Sequence, residues 1–386
     1  MTESRSQKAW ALASFGLALL SLVAMCAFAA EMSGALDPPG TLPLALDFDS
    51  FWSAAMIALH QGARAVYAEP VVDAFQRAHT AMPAAGTLVF YYPPNFLLLC
   101  LPLALLPYAA SLLVFESVQA ALLLPALKRI AGRGWSWLAV LACPGFVMNV
   151  FSGQNGGLSA ACLAFALLSL DRRPWLGGAC LGLLSCKPQL AACVPVALLA
   201  ARRWRAAVAA GAMAAVLIGL ATWVLGLGAW QGFLANAPAA RASIETIAIK
   251  WPMMQSLYAG IRLAGFSVRA GYAGQLCLAL AALALLIRIC LRRPGAGPEI
   301  AALAAAALLV TPYFYDYDLV LLSVPIAWLA GDASRHGWAK GEKPLLLLCY
   351  LAPFGARAIG MRFGIAIAPP LILWLLLAIH RRVVTA

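Results

Sequence analysis

Apolar residues fill this chain in long stretches that short polar turns interrupt, and the stretches read as spans at 9–30, 109–127, 135–150, 158–170, 175–186, 188–200, 206–227, 271–290, 300–313, 319–331, 344–356 and 365–380. Crossing the hydrocarbon core takes about 20 helical residues. Spans 9–30, 206–227 and 271–290 meet that length, whereas pairs such as 175–186 and 188–200 are short enough to enter and return, or to be buried by neighbours. A further apolar piece at 94–107 is expected to dip in and return. The pattern predicts an all-α polytopic membrane protein, one integral-membrane domain over 1–386, with about 11–13 transmembrane or re-entrant helices.

Two polar stretches break the pattern, at 31–88 and at about 228–270. Within the first, Phe51, Trp52, Ala55, Met56 and Leu59 recur at helical spacing behind Asp49-Ser50, which are good N-cap residues. A second piece opens at Pro70 with Val71, Val72 and Phe75 on one face. Two amphipathic helices lying on the membrane surface are expected in this loop. The second loop carries Arg241, Glu245, Lys250, Arg262 and Arg269 among aromatics and prolines.

Composition agrees with the bilayer as solvent: 63% of the 386 residues are hydrophobic and 11% charged. The net charge of +12 is mostly an orientation signal. Eighteen of the 27 Lys and Arg fall in seven clusters at alternate turns: Arg5/Lys8, Lys128/Arg129/Arg133, Arg172/Arg173, Arg202/Arg203/Arg205, Arg288/Arg292/Arg293, Arg335/Lys340/Lys343 and Arg381/Arg382. Placing these on the cytoplasmic side puts both termini inside, in what reads as a bacterial inner membrane. Clusters that alternate with spans form no single patch, so a nucleic-acid partner is not expected. Ala27-Phe28-Ala29 looks like a signal-peptidase site, but the apolar run before it exceeds the ~7–15 residues of a signal sequence and is read as an anchor. The ten cysteines form no CxxC pair and the four histidines are isolated, so neither a disulfide framework nor a zinc site is expected.

Chemistry is carried by a few polar groups at the outer turns. Asp47 and Asp49 precede the first loop helix, where a carboxylate can serve as a general base or simply cap the helix. Tyr92 stands before Pro93-Pro94, and Gln154 and Asn155 lie in a glycine-flanked turn suited to sugar hydroxyls. Lys187-Pro188-Gln189 puts a cation between two short apolar segments, beside a helix N-terminus that favours anions, unless the lysine snorkels to the interface. Tyr313, Asp316 and Asp318 belong to a late turn where Asp318 can cap the next helix. Two carboxylates alone are weak evidence for a divalent metal, and no cofactor is indicated. Arg357 and Arg362 lie between the last two spans, suited to an anionic headgroup.

Taken in order, these elements resemble the DUF2029 group, glycosyltransferase family 87. The resemblance rests on Asp47-Phe48-Asp49-Ser50-Phe51-Trp52-Ser53-Ala54-Ala55, Gly62, Tyr67, Tyr92-Pro93-Pro94, Gly153-Gln154-Asn155, Lys187-Pro188-Gln189 and Thr311-Pro312-Tyr313 through Tyr317-Asp318-Leu319. It implies a GT-C-like fold with its active site at the periplasmic or exoplasmic face. It implies inverting transfer of a hexose, mannose above all, from a polyprenyl-phosphate donor to a lipid or glycan hydroxyl. By the family's spacing Asp47 is the catalytic base and Asp49 a second carboxylate. Lys187, Arg357 and Arg362 then face the donor phosphate, and Tyr92, Gln154, Asn155, Gln189, Tyr313, Asp316 and Asp318 the sugar or acceptor. The family's late outer turn is basic where this chain has Asp316-Tyr317-Asp318. A lipid-sugar flippase or transporter, or a non-catalytic subunit of an envelope-polysaccharide assembly, would also place charges among short helices.

Overall fold

The computed structural model describes residues 16, 46–79, 87–132, 137–141, 143–246 and 251–385. The predicted first span, 9–30, lies outside the described residues apart from Gly16, as does Lys250. What is described is helical, a polytopic membrane protein with five helices long and apolar enough to cross: α4 (Tyr108–Ala131), α11 (Trp204–Leu225), α14 (Val268–Leu291), α17 (Glu342–Phe363) and α18 (Ala368–Thr385).

Shorter apolar helices pack between them. These are α3 (Pro94–Cys100), continued by a 3-10 turn to Leu105, α6 (Pro144–Ser152), α7 (Gly156–Ser169), α8 (Pro174–Gly182), α9 (Pro188–Ala191), α10 (Cys193–Ala200), α15 (Ala296–Val310) and α16 (Ser323–His336). The short helix α5 (Trp137–Leu141) leads into α6. As expected, 94–105 forms a short apolar helix rather than a crossing. Segments 174–186 and 188–200 form two short arms joined at Lys187.

The core is built on α15, whose residues from Glu299 to Leu309 are all buried. Its alanines let α7, α14, α16 and α18 approach closely. Length then sets depth. The 15 residues of α15 rise about 22 Å, against about 36 Å for the 24 of α14 beside it. Gln275 of α14 donates to the carbonyls of Leu309 and Thr311 at 2.7 and 3.0 Å. The end of α15 therefore sits beside the seventh residue after Val268, about 10 Å below the tip of α14. That recess is where the candidate site residues gather.

Four helices cover it. In the first loop, α1 (Leu46–Gln61) and α2 (Glu69–His79) are both present. The first is more deeply packed than a surface helix: Phe48, Phe51, Ala55 and Ile57 are fully buried while Leu59 is exposed. It begins at Leu46, so Asp49-Ser50 sit inside its first turn rather than capping it, and Asp47 does not precede it. The Ser50 hydroxyl donates to the Asp47 carbonyl at 2.7 Å instead. The second loop folds into α12 (Leu227–Thr246) and α13 (Leu257–Leu263).

At the opposite end the turns are tied by ion pairs. Arg203 bonds Asp171 at 2.7 Å and also Glu299, joining three turns. Arg382 bonds Glu342 at 2.6 Å and Asp332 at 2.7 Å. The described members of the seven basic clusters share this end.

Candidate functional site

The site begins where helices stop. Pro188 disfavours helical geometry in the residue before it, and Lys187 accordingly takes φ −125° and ψ 80° between a 3-10 turn and α9. The break delivers its ammonium into the interior, 3% exposed, where Nζ donates to Asp318 Oδ1 at 2.7 Å. The rings of Tyr92 and Tyr317 stand 6.0 and 5.9 Å from the same nitrogen.

Asp318 and Asp316 come from a 3-10 helix (Asp316–Leu322) that follows the recessed end of α15. The segment before it pairs with residues 253–255 as a short antiparallel bridge: Gln255 N donates to Phe314 O at 2.9 Å and Asp316 N to Met253 O at 3.0 Å. Asp318 Oδ2 accepts from Tyr315 N at 3.1 Å, closing the first turn. Asp316 is fully buried, and Arg357 of α17 grips it with two bonds, Nε to Oδ2 at 2.6 Å and Nη2 to Oδ1 at 3.1 Å. The two acids thus turn to different cations rather than to a shared ligand.

Asp47 enters from the covering helix α1. It is half-buried, and its Oδ2 accepts from Gln154 Nε2 at 2.9 Å. A carboxylate only accepts, so the amide nitrogen must face it. That leaves Gln154 Oε1 for the Tyr92 hydroxyl, which donates at 3.0 Å. Asp47, Gln154, Tyr92, Lys187 and Asp318 therefore form one chain of contacts across five segments of the chain. Burial, and then the Asp318 and Asp47 carboxylates, push the Tyr92 hydroxyl well above the ordinary phenol value. Tyr315 is raised by burial and then chiefly by Asp47. Both hydroxyls remain neutral donors. Asp49 is different: it is 1% exposed and Oδ1 accepts from Ser53 Oγ one turn on at 2.8 Å.

The site thus joins a half-buried carboxylate, side-chain amides able to bond hydroxyls, and cations held by buried acids. The family model for glycosyltransferase family 87 matches residues 90–312, more than half of the chain. The chain belongs to glycosyltransferase family 87. No curated protein matches it, and no solved structure does. The match includes Tyr92, Gln154, Asn155, Lys187 and Gln189 of this transferase, and stops short of Tyr313, Asp316, Asp318 and Arg357 on one side and of Asp47 on the other.

Not every residue expected at the site joins it. In the transferase Arg362 is exposed, its guanidinium over the Phe363 ring at 5.9 Å. Five residues beyond Arg357 is about 140° around a helix, a different face. Gln189 is half-buried on α9 and, among the described residues, makes no side-chain hydrogen bond. Tyr313 is half-buried, with its backbone closed on the Thr311 hydroxyl. Asn155 stays with the site, accepting from the Tyr92 hydroxyl at 3.4 Å.

Beneath the 153–155 turn lies an amide pair that the sequence reading missed. Gln119 of α4 donates to the Gln154 carbonyl at 2.9 Å and accepts from Asn149 at 3.1 Å. Asn149 in turn accepts from Gly157 N at 3.2 Å. Both are fully buried, and the signal was present: a lone amide within an apolar span needs a partner.

Proposed function

We propose that the protein is an inverting hexosyltransferase that uses a polyprenyl-phosphate sugar, mannose above all, at the outer face of the membrane, with a lipid or glycan hydroxyl as acceptor. The observation that carries the reading is the half-buried Asp47 carboxylate held by Gln154, in one contact chain with Lys187. Asp47 takes the proton of the acceptor hydroxyl as that oxygen attacks the anomeric carbon. The bond from that carbon to the phosphate oxygen breaks on the opposite side, and the polyprenyl phosphate leaves with the electron pair. A single displacement inverts the centre. Phosphate leaves readily once N–H donors meet its oxygens, and Arg357, the more accessible at 21% exposed, with Lys187, offers such donors, each held in place by its own carboxylate. Tyr92, Gln154 and Asn155 orient hydroxyls. Asp316 and Asp318 fix the two cations and do not meet the acceptor themselves.

The test is transfer by reconstituted protein from a panel of synthetic polyprenyl-phosphate sugars, with nucleotide sugars alongside. Asp47→Asn is expected to lower kcat by about 10²–10⁴ with a small change in donor KM. Asp49→Asn should keep the rate within a few-fold and lose stability instead. The reverse pattern assigns the base to Asp49. Transfer from nucleotide sugars alone overturns the donor class.

A further inference from the structure

At the end of the molecule away from Asp47, the turns after α7, α10 and α14 enclose a cavity of about 470 Å³ lined by Asp171, Arg202, Arg203, Arg205, Arg293 and Glu299. Arg203 bonds both acids, and Asp171 also accepts from Ala296 N at 3.1 Å. Four arginines against two carboxylates leave the cavity with an excess of positive charge, with Arg202, Arg205 and Arg293 outside the ion pairs with these acids.

The backbone adds an independent observation. Arg202 (φ 54°) and Arg293 (φ 53°) are the non-glycine residues with positive φ among the described residues, and both line this cavity. Each occupies the position just past a helix end where glycine is usual. After α10, Arg202 N donates to Leu199 O at 3.0 Å and Arg203 N to Leu198 O at 2.9 Å. After α14, Arg293 N donates to Cys290 O at 3.0 Å. A Cβ in the left-handed region is strained, and two arginines there, both lining one cavity, stand where glycine would relieve the backbone. Trp204 lines the cavity and is exposed, as are Trp175, Leu199 and Leu291 on the adjoining helices α8, α10 and α14. Tryptophans at such a level mark the membrane interface. The ligand that suits both cations and rim carries a phosphate and apolar chains together. A soluble phosphate shares only the charge.

We infer that this cavity binds the phosphate headgroup of an anionic phospholipid, with the acyl chains along the exposed faces of α8, α10 and α14. Native mass spectrometry of the full chain in neutral detergent tests it, titrating phosphatidylglycerol against phosphatidylcholine of the same chains. Phosphatidylglycerol should bind more tightly, and the double variant Arg202→Gly/Arg293→Gly should weaken it about tenfold or more, to the level of phosphatidylcholine. Glycine relieves both backbone positions and so offsets the lost bond from Arg293 Nε to the Ala201 carbonyl, 3.3 Å in the parent; the variant should melt close to the parent without lipid, which separates lost binding from lost folding. Lys340→Gln/Lys343→Gln removes two exposed charges at the same end and should leave the preference intact. The inference fails if the glycine variant keeps its preference, if the lysine variant loses as much, or if inorganic phosphate displaces the lipid.

Discussion

Lys187 and Asp318 stand 131 residues apart and meet at 2.7 Å with side chains 3% and 9% exposed. A buried pair of this kind adds little net stability over an apolar replacement, but removing one partner strands a charge and costs about 3–5 kcal/mol. Asp318→Asn is therefore expected to destabilise the protein by about 3 kcal/mol, and Lys187→Met/Asp318→Asn to recover most of that loss in denaturation in detergent. The same double variant separates structure from function: it should fold and yet show a raised donor KM. An unchanged donor KM would leave Lys187 a structural group only. The lysine was legible in the sequence because a cation followed by proline between apolar segments is costly unless used. Its partner was not, since Asp318 at a turn reads equally well as a cap, and only the recessed end of α15 brings the two together. Asp316 and Arg357 were hidden in the same way, by 41 residues and a helix crossing.

At the scale of elements, the placement of Lys187 depends on how closely α8 meets α11. Gly178 and Gly182 lie one turn apart on the face that touches α11, the small-residue spacing that lets membrane helices approach. A Cβ at Gly178 would overlap the Ala206 carbonyl oxygen and stand 2.7 Å from its Cα, backbone atoms that do not yield. Gly178→Ala should then cost about 1–3 kcal/mol and shift the arm carrying Lys187, lowering transfer along with melting temperature. Gly211→Ala on α11, where a Cβ meets nothing within 4 Å, should leave both at or above the parent values. Helix periodicity made most elements readable in advance, including the two short arms. It failed at α12, where Pro238 and a run of alanines around Asn236 hid a 20-residue helix behind loop-like composition. It also misplaced the start of α1, because Phe48 packs into the core and the helix extends past its apparent cap.

For the molecule as a whole, the two ends have different work. One is clamped by Arg203 and Arg382 networks across four turns and the last helix, and gathers the described basic clusters. The other is recessed, roofed by α1, α2, α12 and α13, and holds Asp47, Lys187 and Arg357. The excess of Lys and Arg predicts that the clamped end faces the cytoplasm, and a membrane-impermeant maleimide on intact cells can check that. In a Cys277→Ser background, which removes the cysteine exposed among the described residues, His60→Cys reports on the recessed end. Arg172→Cys and Lys340→Cys report on the clamped one; all three positions are exposed. His60→Cys should label directly, while the other two label only after the membrane is permeabilised. The opposite pattern would put Asp47 in the cytoplasm. An acceptor and lipid-linked donor would then have to meet on the inner face, and outer-face transfer would fail even if Asp47 remained the base. Side and chemistry are thus separable: the first rests on charge at the turns, the second on Asp47, Lys187 and Arg357 meeting in the recess.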